Sequence, residues 1–539
     1  MKTWQVGPKV KGEKMVEVIL AQRVTAKLRK EFLHPVKPAS LSLKSVGVSQ
    51  VAVKRTIKRI KQAIKNQEVI VVYGDYDADG ICATAIMWEA LHGLEAKVWP
   101  FIPHREDHGY GLSIKGIEAM LGERQPSLVV TVDNGIVANK AAEKLKQEKI
   151  DLIITDHHQV GKKLPGAEAI IHTTGLSGAG VAWMVVKELS KAAAEKALDL
   201  VAVGTVADMM PVLGTNRSLV KYGLVKLRRT DRVGLIGLYQ EAAIDPQSID
   251  TYAINFVIAP RLNATGRLSH GLDSLRLLCT HDKKRAVALA KVLGQANRDR
   301  QNLLQEQLGH AKMKLGNRVR EEKILVVEDE AYHQGVIGLI AGKLTEEFYR
   351  PSVVLSVKQE WAKASARSIP GFNIIEAIRT AEDLVIEAGG HPMAAGFSVS
   401  RDKIEAVTER LKRVAEKELN EDKLKPVVKV DCVIEPRQVS LGLYEELEAL
   451  APFGLGNPRP TLALMGVTVA EVRLVGSEGK HLKLGLKELP GVGVIGFNLG
   501  KLMPQVDPGT KVDVAFNLSV DVWNGQQRVE LKVKDLRVL

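Results

Sequence analysis

Six aspartates and two histidines could carry chemistry in this chain. Asp75, Asp77 and Asp79 alternate in Gly74-Asp75-Tyr76-Asp77-Ala78-Asp79-Gly80, directly after the apolar run Val71-Val72-Tyr73. Asp133 follows Leu128-Val129-Val130-Thr131-Val132, and Asp156-His157-His158 follows Leu152-Ile153-Ile154-Thr155. Asp208 closes Gly204-Thr205-Val206-Ala207; such an acid in an apolar stretch is costly to bury unless paired or metal-bound. Carboxylates mixed with imidazoles suit two Mn²⁺ or Mg²⁺ ions better than a zinc–thiolate site. Two ions held roughly 3.5–4 Å apart by a bridging carboxylate activate water and polarise a phosphate ester. Each piece alone has a simpler reading. The first is an Asp-rich turn, Asp133 a turn or cap residue, and Asp208 a helix-end cap. An EF-hand is disfavoured because its later ligand spacing is missing. His157 and His158 are adjacent, so one binds metal and the other orients a phosphate or supports a ligand.

The elements that must position these residues follow from hydropathy. From Glu68 to about Leu227, apolar strand-like runs alternate with helical stretches such as Cys82–Leu91 and Asn139–Lys149. This βαβ pattern predicts a parallel sheet whose strand tips converge on one crevice. Residues 1–66 are Lys-rich, with a helical patch at Val53–Ile64. Leucines and alanines at helical spacing over Lys283–Leu315 predict one long connecting helix. A second α/β unit follows, with strands at Ile324–Val327 and Ser352–Ser356 and helices at Gly335–Leu344 and Ile374–Ile386. Five β-rich runs (Gly466–Val475, His481–Leu486, Val492–Phe497, Val512–Val520, Arg528–Val533) predict a small barrel of the OB type. The expected division is 1–66, an N-terminal segment; 67–282, a catalytic α/β domain; 283–320, the connecting helix; 321–424, a second α/β domain; and 425–539, the barrel.

Composition narrows the class. The chain has 539 residues, which is too long for one core. Its net charge of +13 favours a polyanionic partner through steering and counterion release. No apolar run is long enough for a membrane span, and no signal peptide is read at the N-terminus. Three scattered cysteines fit a reducing cytoplasm and disfavour a disulfide framework.

With these residues assembled, the chain resembles the DHH phosphoesterase superfamily and, within it, the RecJ family of single-strand-specific exonucleases. The resemblance rests on Gly74–Gly80, Val132–Ile136, Thr155–His158, and Gly204–Asp208 with Asn216-Arg217. It extends through Pro260–Arg267, His333–Gly338, Ser365–Ser368 and Gly389–His391, matching the associated DHHA1 domain, to Pro452–Pro458 before the OB region. Departures are a short stretch at Gln159–Gly180, His172-Thr173-Thr174 in place of Asn-Pro, and Thr265 in place of alanine.

The resemblance implies roles. Asp77 with Asp75 would hold one ion, Asp79, His157 and Asp208 the second, and Asp133 would bridge them. His158 would lie by the scissile phosphate, with Asp156 in support. Arg105, Ser365 and Arg367 would take the 5′-terminal phosphate, for which arginine's fork is suited. His391 would contact substrate phosphate, and Arg261 and Arg267 would either contact DNA or brace the domain interface. On the barrel, His481 and Trp523, near Lys480, Lys483 and Arg473, would meet the strand. The implied activity is 5′→3′ hydrolysis of single-stranded DNA in repair and recombination. Implied protein partners are a single-strand-binding protein or a helicase. Two rival readings are a DHH enzyme for short oligonucleotides or cyclic dinucleotides, which usually lacks an OB module, and a non-catalytic single-strand-binding scaffold, which would show eroded acids.

Overall fold

The computed structural model describes residues 2–10, 14–523 and 526–539, the side chains of Val522 and Trp523 excepted. The chain forms two compact units: Pro8–Asn297 with Asp431–Leu539, and Met1–Gly7 with Arg298–Val430.

The first unit is built on a five-stranded, all-parallel sheet: β1 (Val69–Tyr73), β2 (Lys97–Phe101), β3 (Leu128–Val132), β4 (Asp151–Asp156) and β5 (Ala169–His172), in the order β2-β1-β3-β4-β5. β1 and β3 are apolar almost throughout because both faces are covered. Ile70, Val72, Val130 and Ile153 face a core that includes helix α1 (Ala78–His92). Val71, Val129, Leu152 and Ile154 face the opposite core, with α2 (Ile114–Glu123) and α3 (Asn139–Gln147). Helices α4 (Gly178–Leu189) and α5 (Leu198–Ala207) pack on α1, and α6 (Gly214–Arg228) packs on α5. A π-helical turn, Ile254–Ile258, leads into α7 (Ala259–Leu268). The strand order reverses between β1 and β3, which opens a crevice at their C-terminal ends. β2 and β5 lie outside the runs expected from hydropathy. β2 is short, with Lys97 and Pro100 interrupting it; β5 has only four residues.

Helix α8 runs Lys283–Leu315, with the bounds expected from its periodicity. Gly294 serves packing there, since a methyl at this position would meet the Glu241 carboxylate. The second unit holds a sheet of β6 (Leu325–Asp329), β7 (Ser352–Val357), β8 (Trp361–Arg367), β9 (Val385–His391) and β10 (Ala394–Ser400), in the order β9-β10-β8-β7-β6. The helix expected over Ile374–Ile386 stops at Arg379, and the chain turns into β9. Val385 and Ile386 are β-branched, and Gly389-Gly390 resists helix; pairing with β10 therefore prevails. Thr3–Val6 adds a strand parallel to Val427–Val430 in this unit, while Lys9 bridges to Val433 in the first.

The barrel belongs to the first unit. β11 (Leu462–Val475), β12 (His481–Leu486), β13 (Gly493–Gly496), β14 (Lys511–Trp523) and β15 (Gln526–Val538) run in the order β11-β12-β13-β15-β14, and β14 pairs back with β11 to close it. Arg217 of α6 fastens this module. Its buried guanidinium donates to the carbonyls of Phe32 (2.6 Å), Pro452 (3.1 Å), Leu450 (3.0 Å) and Ala451 (2.7 Å), and it covers the Phe32 ring at 3.8 Å. Burial, then the nearby Arg23 charge, lowers its pKa to about 10. Arg217→Ala leaves these carbonyls without their donor, and each buried unmade hydrogen bond costs about 1–3 kcal/mol. Urea unfolding should show a loss of about 3 kcal/mol or more, with little recovery in Arg217→Lys. An unchanged midpoint would mean the clasp contributes nothing.

Candidate metal centre

The loop after β1 carries three carboxylates with different local tasks. Asp75 is fully buried and accepts the Tyr76 N–H through Oδ1 at 2.7 Å. Asp77 is the N-cap of α1 and accepts the Gly80 N–H at 2.9 Å. Asp79 lies within the first turn and points across to α4, whose Gly178 and Ala179 N–H groups donate to it at 2.7 and 3.0 Å. The alternation of these residues in sequence is therefore broken by a helix start, and they ring the crevice. Ala78 N–H donates to the Asn263 side chain of α7 at 2.7 Å, which pins that helix start.

Asp133 follows β3 with φ of 63°, the left-handed region that non-glycine residues rarely adopt. Its N–H is held by the Thr155 carbonyl at 2.9 Å. His157, after β4, sits between two acids: Nε2 is 3.1 Å from Asp133 Oδ1, and Nδ1 is 3.7 Å from Asp208 Oδ2. Asp208 arrives from the C-terminal cap of α5 rather than from a strand tip. Potential ligand atoms of Asp79, His157 and Asp208 lie within 4.8 Å of one another, as do those of Asp133, His157 and His158. His158 turns toward other partners. Its Nδ1 meets Asp156 Oδ1 at 2.7 Å and its Nε2 meets the Tyr110 hydroxyl at 2.8 Å. Asp156 also accepts N–H groups of Ile136, His157 and His158.

The donor set fits divalent cations. Among the described residues the buried Asp75 Oδ2 accepts no hydrogen bond, and the buried Asp133 Oδ1 has His157 Nε2 at 3.1 Å without a well-formed hydrogen bond. Burial, then the Asp77 charge, raises Asp75 and Asp79 to about 7. Burial, then Asp79, raises Asp208 to about 9 and lifts Asp133 well above the carboxylate range. Acids so crowded stay ionised only with positive charge among them. At His158, burial alone would lower the pKa; the Asp156 hydrogen bond and charge outweigh it and hold the ring at about 9. Two glycines keep the carboxylates in place. A methyl on Gly178 would fall 2.3 Å from Asp133, and one on Gly204 2.4 Å from Asp79 Oδ1.

The expected substrate residues have separate surroundings. Arg105 is half-buried, its guanidinium 5.3 Å from the Tyr76 ring centre. Arg261 is committed internally: it pairs with Glu241 at 2.7 Å and donates to Val257 O. Arg267 ends α7, half-buried. In the second unit, Arg367 lies beside Ser365 Oγ at 3.3 Å and donates to Ala366 O. Burial lowers its pKa, with no carboxylate ion pair among the described residues. His391 is exposed at the end of β9, and the register places Ala394 between it and Arg367. On the barrel, His481 Nδ1 accepts the Asn498 N–H at 3.1 Å, and its ring meets Phe497 edge-on. The Trp523 side chain lies outside the described residues.

Three family models match: the DHH family N-terminal domain over residues 69–205, the DHHA1 domain over 321–417 and the RecJ OB domain over 430–535. The single-stranded-DNA-specific exonuclease RecJ of Thermus thermophilus is 36% identical over 520 residues, covering 94% of this chain and 73% of that protein. The chain belongs to the RecJ family. The Bacillus subtilis RecJ exonuclease is 35% identical over 497 residues; the match covers 90% of this chain and 63% of that relative, so the chain spans less than two thirds of its length. The Thermus RecJ crystal structure in complex with Mn²⁺ aligns with a TM-score of 0.83 at 31% identity, over 99% of this chain and 79% of that one. A second RecJ structure, bound to manganese, aligns with a TM-score of 0.60 at 34% identity, over 69% of this chain and 96% of that one.

Within this RecJ-family chain, the second-rank contributors were not legible as site residues. They are the α4 start at Ser177-Gly178-Ala179, Gly204, Tyr110 and Asn263. The Ser-Gly-Ala-Gly run was an available helix-start signal.

Two measurements test the centre. Raised carboxyl pKa values mean that stability present below about pH 4 is lost as pH rises through about 7 to 9 in the ion-free chain. Thermal unfolding in EDTA should therefore fall over that range, and Mn²⁺ should restore it most at the alkaline end; the opposite slope would contradict the charge balance. Gly178→Ala and Gly204→Ala should each weaken Mn²⁺ binding by calorimetry at least about 10-fold, the scale of a disturbed ligand shell.

Proposed function

We propose that the chain is a single-stranded-DNA-specific 5′→3′ exonuclease that hydrolyses phosphodiester bonds, releases nucleoside 5′-monophosphates, and serves DNA repair and recombination in the cytoplasm. One observation supports the reading: Asp79, Asp133, His157 and Asp208 gather at the switch point of a parallel sheet, with Asp75 and Asp77 close enough to act on the Asp133 charge, in a chain whose relatives are named as such exonucleases. A single-strand-binding protein or a helicase is the proposed protein partner. The domains run as 1–66, 67–282, 283–320, 321–424 and 425–539.

Asp77 and Asp75 would hold one cation and Asp79, His157 and Asp208 a second, with Asp133, whose charge feels Asp75, Asp77, Asp79 and Asp208, available to both. Mn²⁺ or Mg²⁺ bound there supplies charge neutralisation for the phosphate and acidifies water. The chain's own residues do the rest. Asp156 accepts from His158 Nδ1 and keeps the ring charged, so that Nε2, which here meets the Tyr110 hydroxyl, donates to a phosphate oxygen that displaces that hydroxyl. Arg105 supplies a planar fork for phosphate. In the second unit Arg367, beside Ser365 and with no carboxylate ion pair among the described residues, is itself a phosphate ligand, and His391 is a further contact there; Arg267 is one in the first unit. Arg261, paired with Glu241, braces its helix instead of reading substrate. The barrel, through His481 and Trp523, follows the strand with weak sequence preference, since phosphate contacts carry little sequence information.

The decisive assay compares Mn²⁺-dependent release of mononucleotides from a 5′-ended single strand, a substrate with only a 3′ single-stranded end, and blunt duplex. Only the first should be degraded efficiently. Asp133→Ala should lose about 10³-fold or more in rate, the scale of removing a preorganised charge-stabilising group, while still binding single strand in Ca²⁺. Hydrolysis surviving that substitution, or preference for a dinucleotide over a long strand, would refute the reading.

A further inference from the structure

Tyr252 and Phe256 stand out from a chain in which aromatic residues make up only 4%. Both are about two-thirds exposed, and their rings lie 4.5 Å apart, tilted by 34°. Phe256 lies within the π-helical turn Ile254–Ile258 and Tyr252 two residues before it; such bulges recur at functional sites because they re-aim side chains at a cost in helix geometry. Neither ring is needed for the core, which is filled here by Ile249, Ala253, Ile254 and Ile258.

The pair also points somewhere. Tyr252, Phe256, Pro260 and Asn263 follow one another at spacings of four, four and three, so they line one face of the helical segment. That face ends at Asn263, whose side chain holds the N-terminus of α1, the turn capped by Asp77. At the other end Thr251 donates to the Phe453 carbonyl at 2.7 Å, in the segment that leads into the barrel. Nearby, Val212 N–H donates to Leu455 O, and Leu455 and Met209 are both about half exposed; Met209 directly follows Asp208.

We infer that Tyr252 and Phe256 form a base-stacking platform for single-stranded nucleic acid, outside the cleavage centre and in line with it. The inference rests on the proposed nuclease reading for its choice of occupant. Exposed rings at stacking separation suit bases of any sequence, since every base has a π-face. Isolated apolar groups need no explanation, but paired rings on a face continuous with the metal centre do. From Asn263 to Tyr252 is at most about 16 Å, the value for an α-helical rise of about 1.5 Å per residue throughout, since the wider π-helical turn rises less. With phosphates spaced about 3.4 Å or more apart along a strand, the platform meets a base roughly three to five nucleotides from the cleaved bond.

The test uses strands of about a dozen nucleotides carrying 2-aminopurine at successive positions from the 5′ end, bound by the full chain in Ca²⁺. Quenching should peak roughly three to five nucleotides in. Tyr252→Ala/Phe256→Ala should abolish that peak and weaken binding roughly 5- to 100-fold, the range of stacking one base. A wild-type profile without the peak, or one unchanged in the double variant, would overturn the platform. So would sedimentation showing that wild type is a dimer, that the double variant is a monomer, and that DNA affinity is unaltered. Mononucleotide release by wild type in Mn²⁺ is scored separately. A peak without hydrolysis would sink the nuclease reading and keep the platform; hydrolysis without a peak would do the reverse.

Discussion

Mutual repulsion among buried carboxylates is the constraint around which the first unit is organised. Asp75, Asp79, Asp133 and Asp208 share a crevice from which water is largely removed, and each is held above its ordinary pKa by burial and by its neighbours. The fold answers with oriented backbone dipoles. The N-termini of α1 and α4 both open on the crevice, and two N–H groups of α4 bind the Asp79 carboxylate directly. Helix N-termini carry partial positive charge and unsatisfied donors, so they lower the cost of anions without consuming a side chain. The remaining deficit is what divalent ions would supply.

The same crowding explains where the fold accepts strain and where it forbids side chains. Asp133 adopts a left-handed backbone conformation that turns its carboxylate toward His157. Gly178 and Gly204 let α4 and α5 approach those acids more closely than any methyl would permit. Stability elsewhere supports this. The two apolar cores clamp β1 and β3, so the loops at their tips emerge from a rigid frame.

Strand tips and their acids were legible because a parallel sheet makes continuous apolar runs, and a polar residue at the end of such a run is conspicuous. The long helix was legible from its period alone, and five barrel strands from alternation and turns. Other features were not, for physical reasons. Asp208 sits on a helix end, so it reads as a lone acid in an apolar stretch and not as a strand tip. The contribution of Gly178 depends on a contact with Asp133, 45 positions away, that local pattern does not encode. Residue type left Arg261 open between DNA contact and a bracing role, and only its pairing with Glu241, twenty positions away, favours the latter. The segment after Arg379 became a strand because its pairing partner outweighed local helix preference.

The parallel pairing of Thr3–Val6 with Val427–Val430, and the bridge from Lys9 to Val433, have a consequence for biogenesis. During vectorial synthesis Thr3–Val6 emerges more than four hundred residues before the strand that receives it. Its backbone donors and acceptors must wait, solvated, while the parallel sheet and both α/β cores condense. Closing so distant a contact is entropically slow and comes late. Thr3–Lys9 are therefore among the last residues to find their native places, and they pair with strands of two separate compact bodies only after nearly everything between has been made.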